Sequence, residues 1–477
     1  LQLRLTELEP HVADHWLCVA ASQIQLGQMV APLQSLQRGL KLAPQRHDLM
    51  LMLGKQLLEH GQHQRGLELL QAGVDHPDAN DLAHGVFQFA AAGARLVPAA
   101  QLRQRVAAWE QRRALKPSEL WRDRIRDPDP DRPLRVGYLS PDYCNHPVGR
   151  FMEPLFAGHN RQQVEVIGLS CGKRQGPLQE RLRACSDGWH DLRHGDDLAV
   201  ARFLADLQLD VLVELGGYTA EQRLRPLTAR PAPIQLSYLG YPVSTYLSCI
   251  DGWIGDRVVF GPLQEQERGP REQLLRLNRC YLAYAAPADA PTPERTAPDQ
   301  RFRFGSFNHS RKLSDRSLDL FAAVLQAVPE SLLVLKSATF VEPAERERIA
   351  ARLEQRGIAP ERLELLSWAE VTGDHLALYG RMDAAIDTVP YSGTTTTCEA
   401  LWMGVPVLTL LGESMVERQS AAVLAGANLG AAIAGSLEDL ILRAQRIAAR
   451  GPRQQRERQQ LRDHVAASPL TDTAGFG

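Results

Sequence analysis

The sequence predicts an α/β protein, with two tandem Rossmann-like lobes preceded by an all-α, tetratricopeptide-like region. Three observations predict it. Residues 1–116 carry a helical pattern with a 34-residue period. From Leu134 the pattern changes to short apolar runs alternating with helical ones, and after Pro287–Pro298 this second pattern begins again. Short buried runs between helices indicate parallel sheets covered on both faces. A chain of 477 residues is too long for one core, and about three domains are expected.

In the first region Pro10 and Pro44, Ala20 and Gly54, Gly27 and Gly61, Leu36 and Leu70, and Gly39 and Gly73 match in type across the period. Trp16, Ala20, Leu36, Gly39 and Pro44 occupy pattern positions of the tetratricopeptide repeat, and Pro32 departs from it where a small residue is expected. Ala79–Lys116 adds two helical segments broken at Pro98. Such solenoids present a concave face to peptides, and a plain helical cap on an enzyme is the other reading. Residues 117–133 form a charged, proline-rich linker. Its Asp129-Pro130-Asp131 matches a metal-binding DxD in letters only, because alternating prolines favour an extended, solvated strip.

The first lobe, 134–286, has candidate strands Leu134–Leu139, Val164–Leu169, Asp210–Leu215, Ile234–Leu239 and Gly252–Ile254, with helices at Pro177–Cys185 and Asp196–Leu207. A second linker covers 287–300. The second lobe, 301–477, has strands Arg303–Phe307, Leu332–Lys336, Leu363–Leu366, Ala384–Ile386 and Val405–Leu410. Its helices are Ser317–Val328, Pro343–Arg356 and Ser436–Arg450. A ligand is expected outside the C-terminal ends of the strands, in the cleft between lobes.

Composition excludes several classes. The 54 basic and 56 acidic residues balance, so neither nucleic acid nor an anionic membrane is expected as partner. No apolar run approaches the ~20 residues that span a bilayer. Seven cysteines without a CxxC pair fit reduced thiols, a cytoplasmic location and no metal site. Cys398, near a proposed helix start, is read either as a thiol of lowered pKa or as a small buried residue. Walker, GxGxxG and GxSxG motifs are absent.

The chemistry concentrates at predicted strand ends. Asp387–Trp402, DTVPYSGTTTTCEALW, runs from a buried strand through a turn at Gly393 into a helix preceded by Thr394, Thr395 and Thr396. A helix N-terminus presents unpaired N–H groups to an anion, and threonine there caps the helix or donates to the ligand. Lys312 follows another strand end and can meet a diphosphate as a point charge. Lys336, Glu370, Thr372 and His375 stand nearby in the pattern. In the first lobe the corresponding loops carry His146, a candidate proton acceptor, the paired glycines Gly216 and Gly217, and Gly240–Thr245.

Six motifs in order carry a resemblance. They are NHP at Asn145–Pro147, GGYT at Gly216–Thr219, RPAPIQ at Arg230–Gln235, LGYPVST at Leu239–Thr245, FN…K at Phe307–Lys312 and DT…GTTT…ALWMGVPVLTL at Asp387–Leu410. From Leu134 onward the chain resembles the protein O-linked N-acetylglucosamine transferases and their Spindly relatives. The resemblance implies a GT-B type glycosyltransferase that inverts the anomeric centre, takes a nucleotide sugar such as UDP-N-acetylglucosamine, and needs no metal or other cofactor. It implies a protein or peptide acceptor, bound through the helical repeats.

By the same resemblance His146 lies beside the reacting atoms, Lys312 holds the diphosphate, and Asp206 matches a candidate base. Thr395 and Thr396 match phosphate-binding hydroxyls, Glu399 a ribose contact and His375 a nucleobase contact. Gly393, Thr394, Lys336, Thr372, Gly217, Tyr218 and Pro242 complete the expected binding set. His309 belongs to it as well, standing where the family has a phosphate-contacting glutamine. Thr394 stands where animal members have His, Asp210 replaces a histidine, and the large domain that animal members carry between the lobes is missing. The alternatives are a Spindly-like protein O-fucosyltransferase using GDP-fucose, a peptide-binding scaffold without catalysis, and a nucleotide-sugar epimerase. The chain opens on Leu and its last residues, Ser468–Gly477, carry no helical run, so further chain at either end is compatible with the resemblance.

Overall fold

The computed structural model describes residues 2–120, 129, 131–367 and 372–477. Residues 121–128 and Pro130 of the first expected linker, and Glu370, lie outside the described residues. The chain forms two compact units that cut across the expected segments. Unit 1 is Leu1–Leu96, Ala288–Leu411 and Ala431–Arg462; unit 2 is Val97–Pro287, Gly412–Gly430 and Asp463–Gly477.

Unit 1 opens with the repeat helices α1 (Gln2–Leu8), α2 (Ala13–Gln25), α3 (Ala31–Leu42), α4 (His47–Glu59), α5 (His63–Val74) and α6 (Asp81–Ala94). The period has a packing cause. A Cβ on Gly54 would lie 2.8 Å from the Gly66 carbonyl oxygen, and one on Gly66 would lie 2.9 Å from that of Gly54, so α4 and α5 cross backbone to backbone. Pro32 takes the place of Gly66 one period earlier. It stands in the first turn of α3, where a missing N–H costs little. α6 ends at Arg95 in the left-handed region, φ 56°.

The next helix, α7 (Ala99–Arg113), belongs to unit 2 and not to the repeat region expected to reach residue 116. Glu110 accepts from Ser248 N and Oγ, both at 2.9 Å, and Arg103 donates to the Gln266 carbonyl at 2.6 Å.

Unit 2 contains a seven-stranded, wholly parallel sheet. Its strands are β1 (Leu134–Ser140), β2 (Val164–Ser170), β3 (Gly188–Asp191), β4 (Val211–Glu214), β5 (Ile234–Tyr238), β6 (Gly252–Asp256) and β7 (Gln273–Leu277), in the order β3-β2-β1-β4-β5-β6-β7. Helices α8 (Pro147–Gly158), α9 (Pro177–Ala184) and α10 (Asp197–Asp206) connect the first four strands, and the short α11 (Leu224–Leu227) and α12 (Gln264–Glu267) follow. The edge strands β3 and β7 escaped the sequence pattern because their residues are half-buried or exposed and form no continuous apolar run.

The sheet of unit 1 has six strands, β8 (Arg303–Ser306), β9 (Leu332–Lys336), β10 (Leu363–Leu366), β11 (Ala384–Ile386), β12 (Val407–Leu410) and β13 (Ile433–Ala434), in the order β10-β9-β8-β11-β12-β13. Helices α13 (Asp315–Ala327), α14 (Pro343–Glu354), α15 (Thr372–Ala377) and α16 (Thr395–Trp402) lie along it. α17 (Met415–Gly426) belongs to unit 2, and α18 (Leu437–Ala449) and α19 (Gln455–Ala466) follow. Phe304, Phe321, Leu333, Leu335, Phe340 and Leu440 form its core. The stretch 287–300, expected as a linker, is docked on this unit. Arg295 pairs with the fully buried Asp383 at 2.8 Å and Thr296 N donates to the Gly380 carbonyl. No described helix is long and apolar enough to cross a membrane.

Candidate functional site

In both sheets the strand order reverses once, between β1 and β4 in unit 2 and between β8 and β11 in unit 1. Open parallel sheets bind ligands outside the strand C-termini at that reversal, because the flanking loops diverge there. Most of the loops predicted to carry chemistry leave these four strands, while Gly240–Thr245 follows β5 and Lys336 ends β9.

In unit 1 the loop after β8 makes a 3-10 turn, Ser310–Lys312, capped by His309, whose Nδ1 accepts from Arg311 N at 3.2 Å. The Lys312 ammonium lies 4.0 Å from the centre of the Tyr391 ring and donates to the Ser392 carbonyl at 2.7 Å. It thus spans the reversal to reach the loop after β11. Burial pushes its pKa down to about 7, with the Asp387 carboxylate opposing.

The loop after β11 is organised by Asp387. Its Oδ1 accepts from Thr388 N and Gly393 N at 2.8 and 2.7 Å, and its Oδ2 accepts from Thr409 Oγ1 at 2.9 Å. Gly393 is required by this closeness: a Cβ there would lie 2.6 Å from Thr396 Oγ1 and 3.2 Å from Asp387 Oδ1. Thr394 is the N-cap of α16 but makes no side-chain capping bond. Thr396 Oγ1 donates to Asn308 Oδ1 at 3.2 Å, joining the two loops. The first turn of α16, with its outward N–H groups and dipole, therefore starts without a threonine cap and suits an anion. A small pocket lined by Phe307, Asn308, Tyr379, Asp387 and Thr396 among others lies at these strand ends.

Beside it runs a chain of polar side chains. Lys336 Nζ, at the end of β9, contacts His375 Nδ1, and His375 Nε2 meets Glu399 Oε2 at 2.9 Å. Tyr379 Oη donates to the same carboxylate oxygen at 3.1 Å. With Nδ1 facing the ammonium, the ring proton belongs on Nε2, directed at Glu399. Burial pushes Lys336 down to about 8, opposed by Glu399. Thr372 begins α15.

In unit 2 the loop after β1 places His146 at the N-cap of α8, its Nδ1 accepting from Val148 N at 3.3 Å. A neutral ring in this setting carries its proton on Nε2 and is a donor there. Asp142 Oδ1 lies 3.8 Å from His146 Nδ1 and 3.5 Å from Arg174, and burial pushes this carboxyl up to about 6. The loop after β4 is held by Glu214, whose Oε2 accepts from Gly216 N and Gly217 N while Oε1 accepts from Ser237 Oγ at 2.5 Å.

Gly217, Tyr218 and Pro242, carried over by resemblance, are buried. The Tyr218 hydroxyl donates to the Thr245 carbonyl at 2.9 Å, and a Cβ on Gly217 would lie 2.4 Å from Tyr241. These residues shape the loops. Asp206 is not brought to the site. It ends α10, which runs back from the strand C-termini, and the next residue's carbonyl accepts from Arg135 in the second position of β1. Asp206 therefore sits at the opposite edge of the sheet from His146. Asp210 lies at that edge too, paired with Arg132 at 2.7 Å.

Sequence reasoning missed Asp387, Tyr391, Asp142 and Glu214 as organisers of the site. The available signal was a carboxylate or aromatic residue beside each strand end that was already suspected.

The fold and these loops define a class: tandem parallel-sheet units in which one carries a cationic, anion-ready reversal point. Residues 116–282 and 292–476 match glycosyl transferase family 41, and the chain belongs to that family. It is 34% identical over 354 residues to Arabidopsis thaliana SPINDLY, a probable UDP-N-acetylglucosamine–peptide N-acetylglucosaminyltransferase. That match covers 73% of this chain but 38% of the plant protein, so the chain spans under two fifths of this relative's length. It is 29% identical over 353 residues to Arabidopsis SEC, named for the same probable activity, covering 71% of this chain and 35% of SEC. Among solved structures, a point mutant of the Thermobaculum terrenum O-GlcNAc transferase superposes with a TM-score of 0.88 at 32% identity, covering 100% of this chain and 90% of that one.

Proposed function

We propose that this chain is a protein O-glycosyltransferase that moves N-acetylglucosamine from UDP-N-acetylglucosamine to serine or threonine hydroxyls of a protein, with inversion and without a metal. The observation that carries the reading is the pairing, across one sheet reversal, of the Lys312 ammonium with an uncapped helix start at Thr394–Thr396.

In the proposed reaction the acceptor oxygen attacks the anomeric carbon. The bond from that carbon to the diphosphate oxygen breaks, and the nucleoside diphosphate leaves with the electron pair. Lys312 and the first N–H groups of α16 meet the charge that grows on the leaving group, and preorganised donors of this kind account for much of such catalysis. Thr395 and Thr396 add hydroxyls at the phosphates, and the Lys336–His375–Glu399 chain faces the nucleoside. His146 orients the acceptor through its Nε2–H, and the acceptor proton passes to the Asp142 carboxylate beside it. All seven cysteines are free thiols, in keeping with action in the cytoplasm.

GDP-fucose is the second donor, the one the Spindly-like resemblance brings in. A donor panel tests both: transfer from UDP-N-acetylglucosamine and GDP-fucose to proteins of a cell lysate. Transfer from the first alone supports the leading reading, transfer from the second alone replaces it, and transfer from neither returns the chain to a peptide-binding role.

A further inference from the structure

The helical repeats and the Lys312 loop lie in the same compact unit, and they meet at the turn between α4 and α5 and again along α6. The turn between α4 and α5 grips the backbone on both sides of Lys312. Ser310 Oγ donates to the Glu59 carbonyl at 2.7 Å. His63 Nε2 lies 2.6 Å from the Arg311 carbonyl. A carbonyl only accepts, so Nε2 carries the ring proton. Gly61 has φ +71°, and a Cβ there would lie 2.5 Å from the Leu313 carbonyl oxygen and 3.2 Å from that of Ser310. No other residue type fits that approach without displacing the loop.

The turn is itself fixed. His60, 1% exposed, bonds Glu345 of α14 through Nδ1 at 3.0 Å and the Met29 carbonyl through Nε2 at 2.9 Å. Arg348 donates to the His60 carbonyl at 2.7 Å and pairs with Glu345. A second contact reaches the other side of the ammonium. A Cβ on Gly93 of α6 would lie 3.2 Å from the Tyr391 ring, whose face carries the Lys312 charge. Arg311 stacks on Phe89 of the same helix at 5.2 Å.

We propose that the repeat is a positioning element for the donor: His63, Gly61 and Gly93 set the Ser310–Leu313 backbone and the Tyr391 ring so that Lys312 reaches a bound diphosphate. This rests on the reading that Lys312 meets the diphosphate. Ordinary packing would instead affect stability alone. A misplaced ammonium costs binding only where there is a second phosphate to meet, and a displacement of about 1 Å is enough for a large loss.

The test compares UDP with UMP, and GDP with GMP, by calorimetric titration of the whole chain. For His63→Leu the diphosphate dissociation constant rises about tenfold while the monophosphate's stays within about twofold. His63→Gln, which still donates to the Arg311 carbonyl, recovers most of the loss. Gly93→Ala, a milder change far from the turn, gives the same selective loss at about threefold. Lys312→Met marks the full extent of the effect. The inference is overturned if Lys312→Met lowers the diphosphate preference while His63→Leu and Gly93→Ala leave it at the wild-type ratio or weaken both nucleotides equally. If Lys312→Met itself leaves the ratio unchanged, the diphosphate reading falls first and the positioning role falls with it.

Discussion

The two sheets reverse at equivalent places, yet their strand ends carry opposite chemistry. At the reversal in unit 1, beside the buried carboxylates Asp387 and Glu399, two amines, Lys312 and Lys336, are pushed down by burial to about 7 and about 8. Around the reversal in unit 2 the shifted groups are carboxyls. Asp142 is pushed up to about 6 and Glu214 is raised. Away from the reversal, just before the edge strand β7, the buried Glu272, bonded to Gly269 N at 2.6 Å, is pushed up to about 7. Burial disfavours whichever form is charged, so each set is poised for a partner that restores it. Amines of lowered pKa regain charge beside a diphosphate. Carboxyls of raised pKa handle protons near neutrality, which is the need of a hydroxyl acceptor. Under the proposed function the amines of unit 1 serve the leaving group and the carboxyls of unit 2 the acceptor proton.

The contrast breaks most visibly at Lys312. Lys312→Ala is expected to lower kcat by about 100- to 1,000-fold, the range seen for losing one preorganised donor to a developing oxyanion. Its melting temperature is expected to be unchanged or higher, since a half-buried amine is removed. Wild-type turnover by this variant would end the assignment of unit 1 to the diphosphate.

The carboxylate side is tested through stability. A carboxyl whose folded pKa is raised binds its proton more tightly folded than unfolded. Stability is then lost as pH rises from about 4.3, the unfolded value, through about 7, the folded one. Glu272 should account for up to about 3 kcal/mol of that loss. Glu272→Gln is expected to flatten the pH dependence of urea unfolding between pH 5 and 8 and to raise stability at pH 8. An unchanged slope would show that Glu272 is ionised in the folded protein.

A smaller effect sharpens the amine side. With Lys312 near 7 when free, a bound diphosphate raises its pKa, so nucleotide binding above neutrality takes up a proton. Affinity for the diphosphate should fall as pH rises above about 7, by at most about tenfold per pH unit, until the pKa of the complex is passed. Titrations in two buffers of different ionisation enthalpy at pH 8 report the uptake directly. Lys312→Met should abolish it.

How much of this was legible in the sequence differs between the two sides. The strands of both sheet interiors were readable because buried parallel strands are runs of apolar residues, as at Leu332–Lys336. β3 and β7 were not, being half-buried or exposed edges, nor was β13, which has two residues. The cationic side was also legible, since Lys312 and the threonine run are unusual at strand ends. The carboxylate side was not, because Glu214 and Glu272 sit within stretches whose spacing says nothing of burial. The division into units was hidden for a similar reason: Leu96 and Val97 are neighbours in one helical pattern, and only side chains such as Glu110 and Arg103 decide which unit α7 joins.

The smallest expected effect is a test of position. Asp206 matched the family's candidate base by order along the chain, whereas α10 carries it to the N-terminal edge of the sheet. β1, seven residues at about 3.3 Å each, separates that edge from the His146 loop. A base must come within hydrogen-bonding reach of the hydroxyl it deprotonates, directly or through one water. Asp206→Asn is therefore expected to hold kcat/KM within about threefold, whereas Asp142→Asn, beside His146, is expected to lower kcat about tenfold or more and to flatten the acid limb of its pH profile near 6. The reverse outcome, a large loss at Asp206 with Asp142 silent, would mean that proton traffic does not run through the carboxyl at the strand end, and the opposition between the two reversals would no longer describe the chemistry.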